Sequence, residues 1–445
     1  MKLTKRLINK FNQPNTILVL SKWPYKNEAK SYHGVAVYTK ETLSTVAKKT
    51  SQKFVVLVQA EFDREIHLSS NGNILIIPAF YPGIKLYPQI LNVLSKFSKI
   101  NTYHIHSEFY NSGDIIQMGL IIPFLSYLKI RGKHLSFFAH NVIDNFDFIA
   151  NLLGVNKNHP SLIVLKTLVP WYYKLLSLGT SRIVCLDESV KNKLKKHIRE
   201  DKLMNIPIWV YPKNSSLKIR QDWRQKLGFK KNDLVLMVFG FVSKYKGIDW
   251  LTKTVEQNHF EKKVKLLIAG GPAPSHQDKK HYQDFYQQLQ KQAASNSKIT
   301  LTGFIDKKDL SGYFAAADLV ILPYRGILGS SASLSSTLTY GKPFLLSNKL
   351  RPYLENQDFV ETLKELSLNQ TELTFKISRA NFLKTINNLN QTTLKKIALL
   401  SKRLANKRSP QARLVEERLS LYSAQNPPIL LQWKGVRNLA KILSN

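Results

Sequence analysis

The sequence predicts an α/β protein of two units, each a largely parallel sheet covered by helices on both faces. Three observations predict this. Short apolar runs of strand length recur along the chain, helix-length periodic segments separate many of them, and the pattern stops in a polar stretch at 212–233 and begins again.

In the first unit, Asn15-Thr16-Ile17-Leu18-Val19-Leu20 reads as a buried strand, followed by a loop to Gly34 and a helical segment from Val35 to about Lys48. Further strands are expected at 54–58, 74–77, 103–106, 135–140, 183–186 and 206–210. The second unit opens on Leu234-Val235-Leu236-Met237-Val238-Phe239 and continues through 264–269, 299–302, 319–322 and 344–346. Asp306 and Asp309 are placed to open a helix whose Leu310, Tyr313, Phe314 and Ala317 fall at helical spacing. From about Asn369 the sequence turns helical and loses its strands. Asn426-Pro427-Pro428 then precedes a last helical segment carrying Trp433, Arg437 and Lys441, which is expected to pack back on the first domain or to lie on a membrane. The domain expectation is therefore 15–213, 214–424 and a C-terminal helix over 425–445.

A length of 445 residues implies two or three domains, and a composition 43% hydrophobic and 11% aromatic supplies enough apolar surface to exclude wholesale disorder. The one cysteine, Cys185, cannot form an intramolecular disulfide and sits in a strand-like run, which reads as core. The basic start, Met1-Lys2-Leu3-Thr4-Lys5-Arg6-Leu7, is not followed by the apolar stretch of a secretory signal, and no apolar run has the length of a bilayer span. The expected location is the cytoplasm.

Lysine and arginine number 66 against 30 acidic residues, a net charge of +36. Nucleic-acid binding, attachment to the anionic inner face of a membrane and a general excess of surface lysine all fit that number. The basic residues lie in scattered short runs with neither a single basic arm nor the Arg/aromatic motif of an RNA module, which ranks nucleic acid last. Aromatics among basic residues, Trp171, Tyr172, Tyr173 and Trp433, are candidates for membrane contact, with burial in the core as the alternative.

Two stretches carry candidate chemistry. In Val238-Phe239-Gly240-Phe241-Val242-Ser243-Lys244-Tyr245-Lys246-Gly247 a strand ends in glycine, which lets backbone approach a ligand, and lysines follow that can neutralise phosphate; a solvated turn has the same composition. In Asp318 to Pro343 a strand ending Leu322-Pro323-Tyr324-Arg325-Gly326 feeds Gly329-Ser330-Ser331 and a helix whose first amides lack partners. That suits a diphosphate, although serines also cap helices that bind nothing.

With Ile268-Ala269-Gly270-Gly271-Pro272, Leu301-Thr302-Gly303-Phe304, Ala315-Ala316-Ala317-Asp318 and Tyr340-Gly341-Lys342-Pro343, these stretches resemble glycosyltransferase family 4, retaining enzymes of the GT-B fold, in family order and spacing over residues 233 to 350. The first domain resembles the family more loosely through His33-Gly34-Val35-Ala36-Val37-Tyr38-Thr39, His104-Ile105-His106-Ser107-Glu108-Phe109 and Phe138-Ala139-His140-Asn141. The resemblance implies two Rossmann-like domains facing across a cleft. The second would bind a nucleotide diphosphate sugar, and the first a glycan or lipid-linked acceptor. It implies that Lys246 touches the diphosphate, that Gly34 admits the first loop to it, and that Ser330 and Ser331 supply helix-end amides. His140 would stand at the reacting sugar. Gly240, Ser243, Lys244, Arg325, Gly329 and Ser336 complete the expected donor site.

Two departures stand out. Many family members carry two glutamates with seven residues between them and an arginine directly after the strand glycine; here those places hold Leu328, Ser336 and Phe241. Loss of the second carboxylate removes a bidentate acceptor for ribose hydroxyls, and loss of the arginine removes phosphate charge. A non-catalytic homologue that binds a nucleotide or a partner transferase is therefore the alternative function. No His-Glu-x-x-His, paired cysteine or Asp-x-Asp signature is present, so neither a metal nor a cofactor is expected; the nucleotide sugar is a co-substrate.

Overall fold

The computed structural model describes residues 2–24, 34–60, 65–107, 115–146, 149–150, 156, 158–214, 216–273, 279–327, 329–417 and 421. His33, Glu108, Phe109, Leu328 and the expected C-terminal helix with Trp433 lie outside them. Contacts divide the chain into two compact units, the first running to Ile208 and resuming at Pro410, the second spanning Trp209–Ser409. The crossing thus lies a few residues before the expected 213, because Val210 is buried in the second unit's core. The return lies at Pro410.

The first unit contains α1 (Lys5–Phe11), β1 (Thr16–Leu20), α2 (Gly34–Lys49), β2 (Lys53–Gln59), β3 (His67–Leu68), β4 (Ile74–Phe80), α3 (Leu86–Leu94) and β5 (Thr102–Ser107). It continues with α4 (Ile115–Ile130), β6 (His134–Ala139), α5 (Pro160–Gly179), β7 (Arg182–Cys185), α6 (Glu188–Leu194) and β8 (Leu203–Asn205). The sheet order is β3-β4-β2-β1-β5-β6-β7-β8, parallel except for β3 against β4. Strands β1, β2 and β4 are near-continuous runs of β-branched and leucine residues because both sheet faces are covered, and Cys185 is fully buried as expected. Residues 206–210, expected as a strand, form no strand ladder; β8 lies just before them, the Ile206 amide donates to the Cys185 carbonyl (2.8 Å) and the Val210 amide to the Arg408 carbonyl (2.9 Å), and they carry the chain to the second unit.

The second unit contains α7 (Leu217–Lys226), β9 (Leu234–Phe239), α8 (Ile248–Gln257), β10 (Val264–Ala269), α9 (Lys280–Ser295), β11 (Ile299–Leu301), α10 (Leu310–Ala316) and β12 (Leu319–Leu322). It then contains α11 (Ala332–Thr339), β13 (Phe344–Ser347), α12 (Gln357–Glu365), β14 (Thr374–Phe375), α13 (Arg379–Asn388) and α14 (Gln391–Lys407). Helix α15 (Pro410–Glu417) belongs to the first unit. All six strands are parallel in the order β11-β10-β9-β12-β13-β14, the doubly wound arrangement whose order reverses between β9 and β12. β14 corrects the expectation of no strands beyond 369: its two residues are too few to register as a period, but Phe375 is buried and pairs beside Ser347. Asp309 stands at the start of α10 as expected, without a side-chain cap bond. Asp318, just before β12, binds the guanidinium groups of Arg220 (2.5 Å) and Arg224 (3.1 Å), which pins α7 to the sheet.

Candidate functional site

In the second unit the expected donor residues converge where β9 and β12 part. Gly240 follows β9 with φ +100°, and a Cβ there would stand 2.9 Å from Lys246 Nζ and 3.1 Å from Ser333 Oγ. Glycine at 270 is equally required, since a Cβ would lie 2.1 Å from the Gly240 carbonyl oxygen. The chain then makes a 3-10 turn, Lys244–Lys246, and leaves it through Gly247 at φ +68°, packed against the Pro323 carbonyl. This turn tucks the Lys246 side chain inward: the residue is 7% exposed, and its ammonium lies 5.8 Å from the Tyr324 ring centroid. Among the described residues that ammonium has no carboxylate partner and no hydrogen-bond acceptor.

Arg325 holds the turn from outside. Its guanidinium donates to the Lys244 carbonyl (2.5 Å) and to Asp249 (2.8 Å), and its amide donates to the Tyr245 carbonyl (2.7 Å). Lys244 is exposed, with its ammonium 5.7 Å from the Phe285 ring centroid on α9. Ser243 precedes the turn without a side-chain cap bond.

Helix α11 closes the site from the other side. Ser331 caps it, accepting from the Leu334 amide at 3.2 Å, while the amides of Ala332 and Ser333 have no acceptor within a helix that starts there. Gly329 is buried, and its carbonyl accepts from the Tyr353 hydroxyl, which fixes the approach of the Ser330 turn. Ser333 was not singled out by sequence, yet its hydroxyl donates to the Phe239 carbonyl (2.8 Å) and accepts from Tyr324 (2.9 Å), locking α11 to the end of β9. Nothing in a run with serines at 330, 331, 333, 335 and 336 distinguishes this one; the helix register does. Ser336 lies one turn further along α11, half-buried, and its hydroxyl makes no hydrogen bond among the described residues. Phe241 packs on Phe304 with ring centroids 5.8 Å apart, so an apolar contact occupies the position after the strand glycine.

The first unit holds a separate cluster at the ends of β5 and β6. His140 Nε2 and His106 Nδ1 are 3.0 Å apart, a hydrogen bond that requires one imidazole to donate and the other to accept. His106 stacks on Phe138 (4.2 Å, 9°), and Tyr38 of α2 meets His140 edge-on at 5.3 Å. Burial pushes His140 down to about 3; burial, with His140 and His104 beside it, holds His106 well below its usual value, so both rings are neutral near pH 7. Alternation along β5 puts His104 and His106 on one face, and the β5–β6 register sets His106 opposite Phe138, two residues before His140. The sequence showed the spacing but not the strand pairing that joins them. Gly34 begins α2, is exposed, and faces open space where a Cβ would stand.

Residues 233–361 match the family model described as glycosyl transferases group 1. Over 155 residues the chain is 22% identical to an uncharacterised glycosyltransferase of Methanocaldococcus jannaschii, an alignment covering 34% of this chain and 38% of that protein, well under two thirds of its length. The structure of Anabaena HepE in complex with UDP and glucose superposes with a TM-score of 0.60 at 14% identity, over 91% of this chain and 99% of that one. Sucrose-phosphate synthase of Thermosynechococcus elongatus gives 0.60 at 13% identity, over 96% and 98%. The shared architecture is the GT-B fold.

Proposed function

We propose that the chain is a retaining glycosyltransferase that moves a hexose from a nucleotide diphosphate sugar to a glycan or lipid-linked acceptor. The observation that carries this reading is Lys246. Its side chain is packed inward, 7% exposed, and its ammonium has no carboxylate partner among the described residues, so the charge is free to meet an arriving anion. It lies at the topological switch point of a doubly wound sheet, where such folds bind ligands, beside the N-terminal amides of α11. A diphosphate matches that chemistry, and the match of residues 233–361 to the group 1 model falls on the same segment. UDP in the HepE complex makes uridine donors the first to test.

In this reading the C1–O bond of the donor breaks and its electron pair leaves on the diphosphate, where Lys246 and the helix-end amides stabilise the charge. The acceptor hydroxyl attacks from the same face and its proton passes to the leaving phosphate oxygen. The family resemblance, rather than the geometry, supplies the retaining stereochemistry. The same resemblance assigns His140 to the reacting sugar, and its neutral ring can hydrogen-bond a hydroxyl without adding positive charge near an oxocarbenium-like centre. Arg325, committed to Asp249 and Lys244, positions the turn instead of contacting phosphate. The reading extends to location: a cytoplasmic enzyme at the inner face of a membrane, supported by the charge of +36.

Incubation with UDP- and GDP-linked glucose, galactose and mannose, with oligosaccharide and lipid-extract acceptors, tests the proposal. Proton NMR of the product should show the donor's anomeric configuration; an inverted product removes the retaining mechanism. A second reading, a homologue that binds nucleotide without turnover, is favoured by Phe241 and Ser336. Saturable nucleotide binding with no transfer to any acceptor would select it.

A further inference from the structure

Helix α5 of the first unit is apolar on two faces. Its inner face buries Leu162, Val169, Tyr173 and Leu176 in the core. Its outer face carries Val164, Leu168, Trp171, Leu175 and Leu178, each between 44% and 60% exposed. Their spacing of four, three, four and three residues aligns them in one row along four turns, about 21 Å at 1.5 Å per residue. Single exposed leucines are ordinary, but a continuous row of five large side chains on one helix is not.

Helix α4 prolongs the row. Lys129 donates to the Leu178 carbonyl at 2.6 Å, and a Cβ on Gly179 would lie 3.1 Å from Leu125, so the end of α4 sits against the end of α5. The next residue, Ile130, is 85% exposed. The charges beside this row have one sign. Helices α4 and α5 contain no aspartate or glutamate, whereas Lys129 and Lys174 flank the row, and Lys174 Nζ lies 5.2 Å from the centroid of the Trp171 ring.

We infer that the α5 row is a docking surface for an anionic lipid membrane, entered by Trp171 and its neighbouring leucines while the flanking lysines meet the headgroups. Among the described residues no helix is long and apolar enough to cross a bilayer, so the contact is interfacial. A second copy of the chain is a poorer occupant. Pairing two α5 rows would bring lysines together with no acidic residue on α4 or α5 to balance them, whereas an anionic surface supplies the missing charge. The mixed character of Trp171, exposed beside a lysine, is what an interface rewards. The surface stands on the first unit alone and does not depend on the transferase reading.

The test is sedimentation of the full chain with vesicles of phosphatidylcholine, and of phosphatidylcholine and phosphatidylglycerol in equal parts, without any nucleotide. The wild type should bind the mixed vesicles and not the neutral ones. Replacing Leu168, Trp171 and Leu175 together by serine should weaken binding by about tenfold or more, the equivalent of 1.4 kcal/mol, and leave the fold and nucleotide binding intact, because about half of each side chain faces water. Lys174→Glu should weaken it as well. As a control on an exposed leucine of the second unit, Leu217→Ser should change nothing. Wild-type protein that ignores the mixed vesicles overturns the inference, as does a triple-serine variant that binds them as well as wild type. A concentration-dependent dimer that the triple variant abolishes assigns the row to a second copy and also overturns it.

Discussion

His106 and His140 share one hydrogen bond of 3.0 Å between Nδ1 and Nε2, deep enough in the first unit that both rings are neutral. The bond makes each histidine's tautomer dependent on the other, so His106 positions the imidazole proposed to meet the sugar. Replacing His140 by alanine should lower kcat by about a hundredfold while nucleotide affinity changes less than twofold. His106→Phe should lower kcat by about tenfold, and His106→Asn, which keeps a polar partner, should recover part of that loss. Steady-state kinetics beside nucleotide titration separates this from a purely structural role, in which both variants would lose activity in proportion to stability.

The same cluster predicts a pH dependence of stability. His104, at about 4, His106 and His140 are all depressed by burial, while an unfolded histidine titrates near 6.5. The unfolded chain therefore takes up protons first as pH falls, and stability declines from about pH 6.5 downward toward the folded values. Between about pH 6.5 and 5 most carboxylates remain ionised, so the decline there belongs to the histidines. Thermal melts at pH 7.0 and 5.0 should show a lower Tm at 5.0, with a smaller difference in His106→Phe.

Gly247 tests the turn that delivers Lys246. Alanine there meets a left-handed backbone and the Pro323 carbonyl oxygen 2.1 Å away, and should cost about 1–3 kcal/mol and abolish nucleotide binding. Gly240→Ala also meets a backbone that L residues rarely adopt, φ +100°, and its methyl reaches Lys246 Nζ, so it should lose both stability, by about 1–3 kcal/mol, and nucleotide affinity. Chemical denaturation and nucleotide titration of both variants check these losses.

Gly312 tests packing away from the site. A Cβ would lie 1.9 Å from the Trp223 ring, which joins α7 to α10. Gly312→Ala should destabilise the second unit by about 1–3 kcal/mol, read by denaturant melts, and leave nucleotide affinity per folded molecule intact.

Much of this was legible in the sequence because parallel strands buried on both faces are nearly pure apolar runs: β1, β9, β10 and β12 stand where their runs predict. Glycines 240 and 247 with Lys246 were legible as a group for the same reason, since turn chemistry is local. What required the structure was non-local. The pairing of β5 with β6 brings His106 to His140, the register of α11 selects Ser333 among five serines, and the commitment of Arg325 to Asp249 depends on how α8 packs. Short segments also escaped: β14 is too brief for periodicity, and residues 206–210 are apolar because they are buried, not because they pair. Trp171 and Tyr173, two residues apart, read alike in sequence, yet helical rotation exposes one and buries the other, its hydroxyl accepting from the Ile143 amide at 2.9 Å.

The central claim is that Lys246 and the start of α11 hold a diphosphate, and calorimetric titration of the wild type and of Lys246→Ala with UDP, GDP and their sugar conjugates tests it most directly. Saturable binding of one nucleotide, weakened in Lys246→Ala by about tenfold to a hundredfold as expected for a charge-assisted contact, is the predicted result. Absence of binding by every nucleotide, or equal binding by Lys246→Ala, would contradict the claim.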